Sequence, residues 1–238
     1  MALSAFVSNI ARFAPGRSET PLRVLSLMAI SASLKMRGSR LDPASRHAVL
    51  KAMELGARLN DRFDGDPYDP ATLRARILSF SSSPWRKAVR QYVRRLRLLE
   101  KGRPAILSKS AEMQSYRESV NTTSLALLWS IASRIPLDQA EHEVRRETDL
   151  RLLFHIVMLA QVIDDILDVR KDRLRRLPSF ATASDADSAA IRRIVPHYSR
   201  PVPLRLDGNF TYGVMLRLVG WTAMIAIAFR PIERAMAD

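Results

Sequence analysis

The chain contains no cysteine in 238 residues. That excludes disulfides and thiolate metal sites and leaves oxygen or imidazole as ligands for any bound ion. It also suits a reducing compartment. Long hydrophobic runs are missing as well. The longest, Leu218 to Phe229, falls far short of the roughly 20 residues that span a bilayer. Met1 to Arg17 carries no compact apolar run of signal-peptide type, so the expected location is cytoplasmic. No stretch alternates with the two-residue period of a strand, and tandem repeats and low-complexity tracts are absent. The histidines, His47, His142, His155 and His197, show no ligand spacing such as HExxH. His155 lies in an apolar run and reads as a satisfied core residue. Acidic side chains are the minority, 24 against 38 lysines and arginines, for a net charge of +14. A charge of that size suits a polyanionic partner, although a genome-wide preference for arginine would produce the same balance.

What is present is a succession of helix signals. An acceptor side chain followed by proline occurs at Thr20-Pro21, Asp42-Pro43, Asp69-Pro70 and Ser83-Pro84, the N-cap and N1 arrangement. Gly38, Gly65 and Gly102 stand where the corresponding helices should stop. The spacing predicts helices over 21–37, 43–64, 70–80 and 84–101, then Ser110 to Arg134. Asp138-Gln-Ala-Glu141 reads as a capping box opening one long helix over 138–176. Two more are expected near 187–195 and 210–235, with Pro196 to Gly208 as a loop. No linker divides the chain. The expected architecture is a single all-α domain over 1–238, with 1–19 as an N-terminal arm.

The segment from Leu152 to Ile163 is apolar on almost every side, as in a helix buried in the middle of a domain. It runs directly into Asp164, Asp165 and Asp168, with Asp172 one turn beyond. On a helix 164, 168 and 172 form one stripe, with 165 beside it. Carboxylates so placed repel one another and lose hydration, a situation that a cation relieves. The competing reading is a solvated helix end, because Arg170, Lys171, Arg173, Arg175 and Arg176 follow at once. Exposed pairs of that kind contribute only a few tenths of a kcal/mol and do not explain acids set against an apolar run. A second acidic set, Asp61 and Asp64 after Asn60, shares one face near a helix C-terminus, where the macrodipole disfavours negative charge. Two carboxylate sets on separate helices suit Mg²⁺, which takes one or two carboxylates with substrate phosphates.

Gln161-Val-Ile-Asp164-Asp165-Ile-Leu-Asp168 resembles the second aspartate-rich motif of trans-prenyltransferases, and Asn60-Asp61-Arg-Phe-Asp64 resembles the first, with asparagine leading. Between them, Tyr116 to Thr123 resembles the mid-helix segment of terpene and squalene-type enzymes. The order of segments is similar to that of the class I isoprenoid synthase superfamily, over about 57–65, 112–128 and 150–180. The chain is shorter than typical members. It lacks the glycine-and-lysine segment of chain-elongating enzymes and the NSE-type motif of many cyclases. Asp172 and Leu177-Pro178-Ser179 look more like the squalene and phytoene branch.

The resemblance implies a Mg²⁺-dependent enzyme, with Mn²⁺ as an alternative ion, acting on an allylic prenyl diphosphate. Asp61, Asp64, Asp164, Asp165 and Asp168 would hold the metal. Arg117, Lys171, Arg173 and Gln161 would meet the diphosphate, and Asn60, Tyr116, Asn121 and Phe154 would line the pocket. A terpene synthase acting on a C15 or C20 diphosphate is the first expectation, and a prenyl-condensing transferase the second. A reading of another class is a basic helical binding protein, since the helix over 84–101 carries Arg86, Lys87, Arg90, Arg94, Arg95 and Arg97. No nucleic-acid motif accompanies it, and no nucleic-acid partner is expected. Met215 to Arg234 mixes basic and apolar residues, as a homodimer face, a cavity lid or a peripheral membrane contact would.

Overall fold

The structure is a computed structural model that describes residues 21–65, 69–81, 83–183 and 194–198. All regular structure among these residues is helical. The elements are α1 (Pro21–Met36), α2 (Pro43–Phe63), α3 (Pro70–Leu78), α4 (Arg86–Lys101), α5 (Ser110–Ser133), α6 (Leu137–Arg146), α7 (Thr148–Leu167) and α8 (Val169–Arg175). A 3-10 turn at Phe180–Thr182 follows, then one helical turn at 194–198. The all-α expectation holds for the described residues. The helices expected near 187–195 and 210–235, the N-terminal arm and the Met215 to Arg234 face lie wholly or largely outside them.

Local chemistry starts and stops several helices as anticipated. Asp42 accepts from the backbone N–H groups of Ala44 and Ser45, both at 3.0 Å, and Pro43 occupies N1. Asp69 caps α3 in the same way through Ala71 and Thr72. Gly38 and Gly65 follow α1 and α2 at φ +71°, a conformation that costs a glycine little.

Four expectations need correction. The helix expected from Pro84 begins at Arg86, because Ser83 donates its hydroxyl to the Phe80 carbonyl at 2.9 Å and does not cap. The capping box at Asp138 does not form: Pro136 is the N-cap of α6, and Asp138 pairs with Arg95 instead. The single helix expected over 138–176 is three helices. The buried stripe of α6, Leu137, Ala140 and Val144, would continue at 147/148 and 151, which hold Glu147, Thr148 and Arg151. A straight continuation would bury charge. Glu147 turns extended instead (φ −72°, ψ 130°), and α7 then buries Leu150, Leu152 and Leu153. A second break falls at Asp168 (φ −96°, ψ 8°), between α7 and α8. The loop expected from Pro196 begins inside the helical turn at 194–198.

The 24-residue α5 is the hub, packing on α1, α2, α4, α6 and α7. Its last three turns bury Leu125, Ala126, Leu127, Trp129 and Ile131. α7 lies against α5, α6 and α1 and is buried nearly all round through Ile156, Met158, Leu159, Val162 and Ile166. Each full burial of such a side chain contributes roughly 1.5–3 kcal/mol. That sum lets the helix carry acids at its end whose individual costs are of the same size.

Candidate functional site

Asp165 is the anchor of the acidic end of α7 and is only 3% exposed. One carboxylate oxygen accepts from Gln161 Nε2 at 2.6 Å and from Arg117 Nη2, reaching across from α5, at 3.2 Å. The other accepts the Phe180 backbone N–H at 2.8 Å. Arg117 also donates to the Pro178 carbonyl at 3.3 Å, while its Nε is buried without a partner. The chain beyond α8 therefore folds back under the acids. Leu177 N–H reaches the Asp172 carbonyl at 2.8 Å, and Thr182 accepts the Leu107 N–H through its backbone oxygen at 3.1 Å.

The other acids of this end differ in their surroundings. Burial pushes the Asp165 carboxyl above its ordinary range, against the lowering by Arg117, Phe180 and Gln161. Burial and then the Asp168 charge raise Asp164. Asp172 is pushed up to about 6 by burial, partly offset by a hydrogen bond from Ser179. No hydrogen bond or ion pair engages Asp164 among the described residues. Among the described residues the Asp168 side chain meets only Lys171 of the next turn, at 3.4 Å with both side chains nearly half exposed. Arg173 belongs to the last turn of α8.

The α2 acids sit in a separate network. Asp64 accepts from Asn60 at 2.8 Å and from Arg103 Nη2 at 2.7 Å, while Asp61 lies 3.5 Å from Arg58. Arg103 also approaches Glu100 at 3.6 Å, and Glu100 accepts the Tyr116 hydroxyl at 2.6 Å. Burial, and then Glu100, push the Tyr116 phenol well above its usual range. The two networks come closest at neighbouring residues of α5: Tyr116 faces the Asp64 side and Arg117 the Asp165 side, with the guanidinium 5.8 Å from the Tyr116 ring centroid. Among the described residues no hydrogen bond or ion pair links Asp61 or Asp64 to the network at the end of α7.

The residues expected to line one pocket are likewise divided. Asn121 donates to Met158 Sδ at 3.1 Å. Tyr116 lines a groove of about 590 Å³ with Leu98, Leu99, Pro104 and Ser119. Phe154 lines a separate, polar cavity of about 370 Å³ with Glu118, Arg151, His155, His197 and Tyr198. His155 is not the satisfied core histidine that was expected. Its Nδ1 is buried with no partner, and burial, then the Arg151 and His197 charges, lower its pKa. Tyr198 donates to Glu118 at 2.5 Å in the same cavity. Sequence reasoning missed this cluster, Glu100 and Arg103, since no motif joins residues 16 to 84 positions apart.

Whether these side chains suit a divalent ion turns on which oxygens remain open. Among the described residues no group of three or more His, Cys, Asp or Glu side chains is arranged to hold a metal ion. Asp165 and Asp64 are already engaged by arginine and amide donors. Asp164 and Asp168, one helical turn apart, form the smaller hard-oxygen pair that Mg²⁺ uses when substrate phosphates and water complete its shell. Those two residues fit; a preformed five-carboxylate cage is not seen. Comparison with protein-family models, with curated proteins and with solved structures gave no match.

Proposed function

We propose that the chain is a Mg²⁺-dependent enzyme of the class I isoprenoid type, ionising a C15 or C20 allylic diphosphate and releasing pyrophosphate. The diphosphate sits at the acidic end of α7. The observation that carries this reading is Asp164: a solvent-facing carboxylate at the end of a largely buried helix, with no side-chain hydrogen bond or ion pair among the described residues, raised by partial burial and by Asp168 one turn away. Such a pair lowers its electrostatic cost by taking a cation. The resemblance of Gln161 to Asp168 to an aspartate-rich prenyltransferase motif supports the same ligand.

In this reading Asp164 and Asp168 hold the ion, which supplies Lewis-acid stabilisation of charge developing on the leaving pyrophosphate. Asp165 is a positioning residue: it fixes Arg117 and the Phe180 turn and does not touch substrate. Lys171, beside Asp168, donates to phosphate oxygens. No protein nucleophile is required.

Incubation with geranyl, farnesyl and geranylgeranyl diphosphates and Mg²⁺ should release pyrophosphate together with a hydrocarbon or alcohol. Asp164→Asn or Asp168→Asn should slow release by about 100-fold, the scale of losing one preorganised charge-stabilising group. Asp61→Asn reports whether α2 takes part in the bound state, through a loss of comparable size. No pyrophosphate from any of the three substrates would sink the proposal.

A further inference from the structure

Helix α4 presents two kinds of arginine. Arg95 is paired with Asp138 and Glu141 of α6. Arg90, Arg94, Arg97 and Lys101 have no carboxylate partner among the described residues. They stand at i, i+4, i+7 and i+11, one stripe of the helix, and line a groove of about 420 Å³ with Ile77, Val93 and Leu98. No acidic side chain lines it. Cations near a helix C-terminus are favoured by the macrodipole, which accounts for Arg97 and Lys101 but not for Arg90 and Arg94. Like charges four residues apart oppose the helix, so a complementary anion is the missing element.

The floor of the groove identifies the class of anion. Leu98 is 59% exposed among the cations; Leu78, next to the lining residue Ile77 but not itself in the groove, is 54% exposed. Nucleic acid gains nothing from such leucines. Of the aromatics that could stack on a base, Tyr92 is 2% exposed, and Trp85 at the N-cap of α4 is partly buried and does not line the groove. A bilayer surface uses both features, phosphate headgroups against the guanidinium groups and leucine at the acyl boundary, with the arginine stems lying along it. We propose that the α3–α4 groove, centred on Arg94, Arg97 and Leu98, docks the protein on an anionic lipid surface. This contact does not depend on the catalytic reading.

The test is co-sedimentation of the full chain with vesicles of phosphatidylcholine alone and with about 30% phosphatidylglycerol. Binding should require the anionic lipid and weaken as salt is raised. Arg94→Glu with Arg97→Glu should reduce partitioning by about 25-fold or more, taking about fivefold for each cation removed near the surface. Leu98→Asn, which leaves the charge unchanged, should weaken it by a smaller but measurable factor. Lys35→Glu with Arg40→Glu alters the net charge equally at exposed positions outside the groove and should stay within about twofold of the parent. Circular dichroism checks that each variant retains its helix. Equal binding to neutral vesicles, or equal loss from the control pair, would overturn the proposal. So would a single-stranded oligonucleotide that binds more tightly than vesicles and is indifferent to Leu98→Asn.

Discussion

At the first turn of α7 Asp149 faces Arg37; at its last turn Asp165 faces Arg117. Both aspartates are buried and both arginines come from a distant helix or its flank. Around Arg37 the charges close on themselves. The guanidinium meets Asp149 through two nitrogens, at 2.8 and 3.3 Å, and reaches Glu143 at 3.3 Å and Glu147 at 3.7 Å. It also lies 4.9 Å over the Trp129 ring, whose Nε1 donates to Glu143 at 2.8 Å. Glu147 and Asp149 cap and open α7, where the dipole favours them; Glu143, in the last turn of α6, is held by Arg37 and Trp129 instead. Around Arg117 the same elements do not balance. One nitrogen serves both Asp165 and a carbonyl, while Asp164, in the last turn of α7 where the dipole disfavours negative charge, and Asp172, in the first turn of α8, both remain raised by burial. The first arrangement is a structural clasp. The second leaves positive charge wanting, which is the physical basis for placing a ligand there.

Removing Arg117 should have the largest effect on stability. Arg117→Met strands a fully buried carboxylate and should cost about 3–5 kcal/mol in urea unfolding, most of it recovered by adding Asp165→Asn. A loss under about 1 kcal/mol would mean that Asp165 is already neutralised by other means, and the contrast between the two ends would collapse. Arg37→Met should cost less, about 1–3 kcal/mol, because Asp149 keeps a favourable helix N-terminus. The pH effect is of similar size. Asp172 titrates at about 6 in the folded chain against an ordinary 3.8, so the native state binds the proton first. Stability should rise as pH falls from about 7 to 4, by about 2 kcal/mol from Asp172 alone, with Asp164 and Asp165 adding in the same sense. Asp172→Asn should flatten that slope, and an unchanged profile would show that another group sets it.

The buried character of α7 and the gathering of acids at its end were legible, because periodicity and spacing are local properties. The partners of those acids were not. Arg117 and Asp165 are 48 residues apart, Arg103 and Asp64 are 39 apart, and the chain holds 38 basic residues among which no pattern selects these two. The corner at Glu147 was readable in principle, since the apolar stripe of α6 runs into charge there. The apparent capping box at Asp138 to Glu141 pointed instead to one unbroken helix over 138–176.

By itself the sequence determined the helical class and the places where α2 and α3 begin. A capping aspartate and the proline after it act within three residues and need no distant partner. Only the tertiary structure decided that Asp165 is buried against Arg117 while Asp164 stays open, and that α2 carries its acids to Arg103. The reason is that a helix sets which side chains share a face, whereas packing sets which face meets a countercharge and which meets solvent.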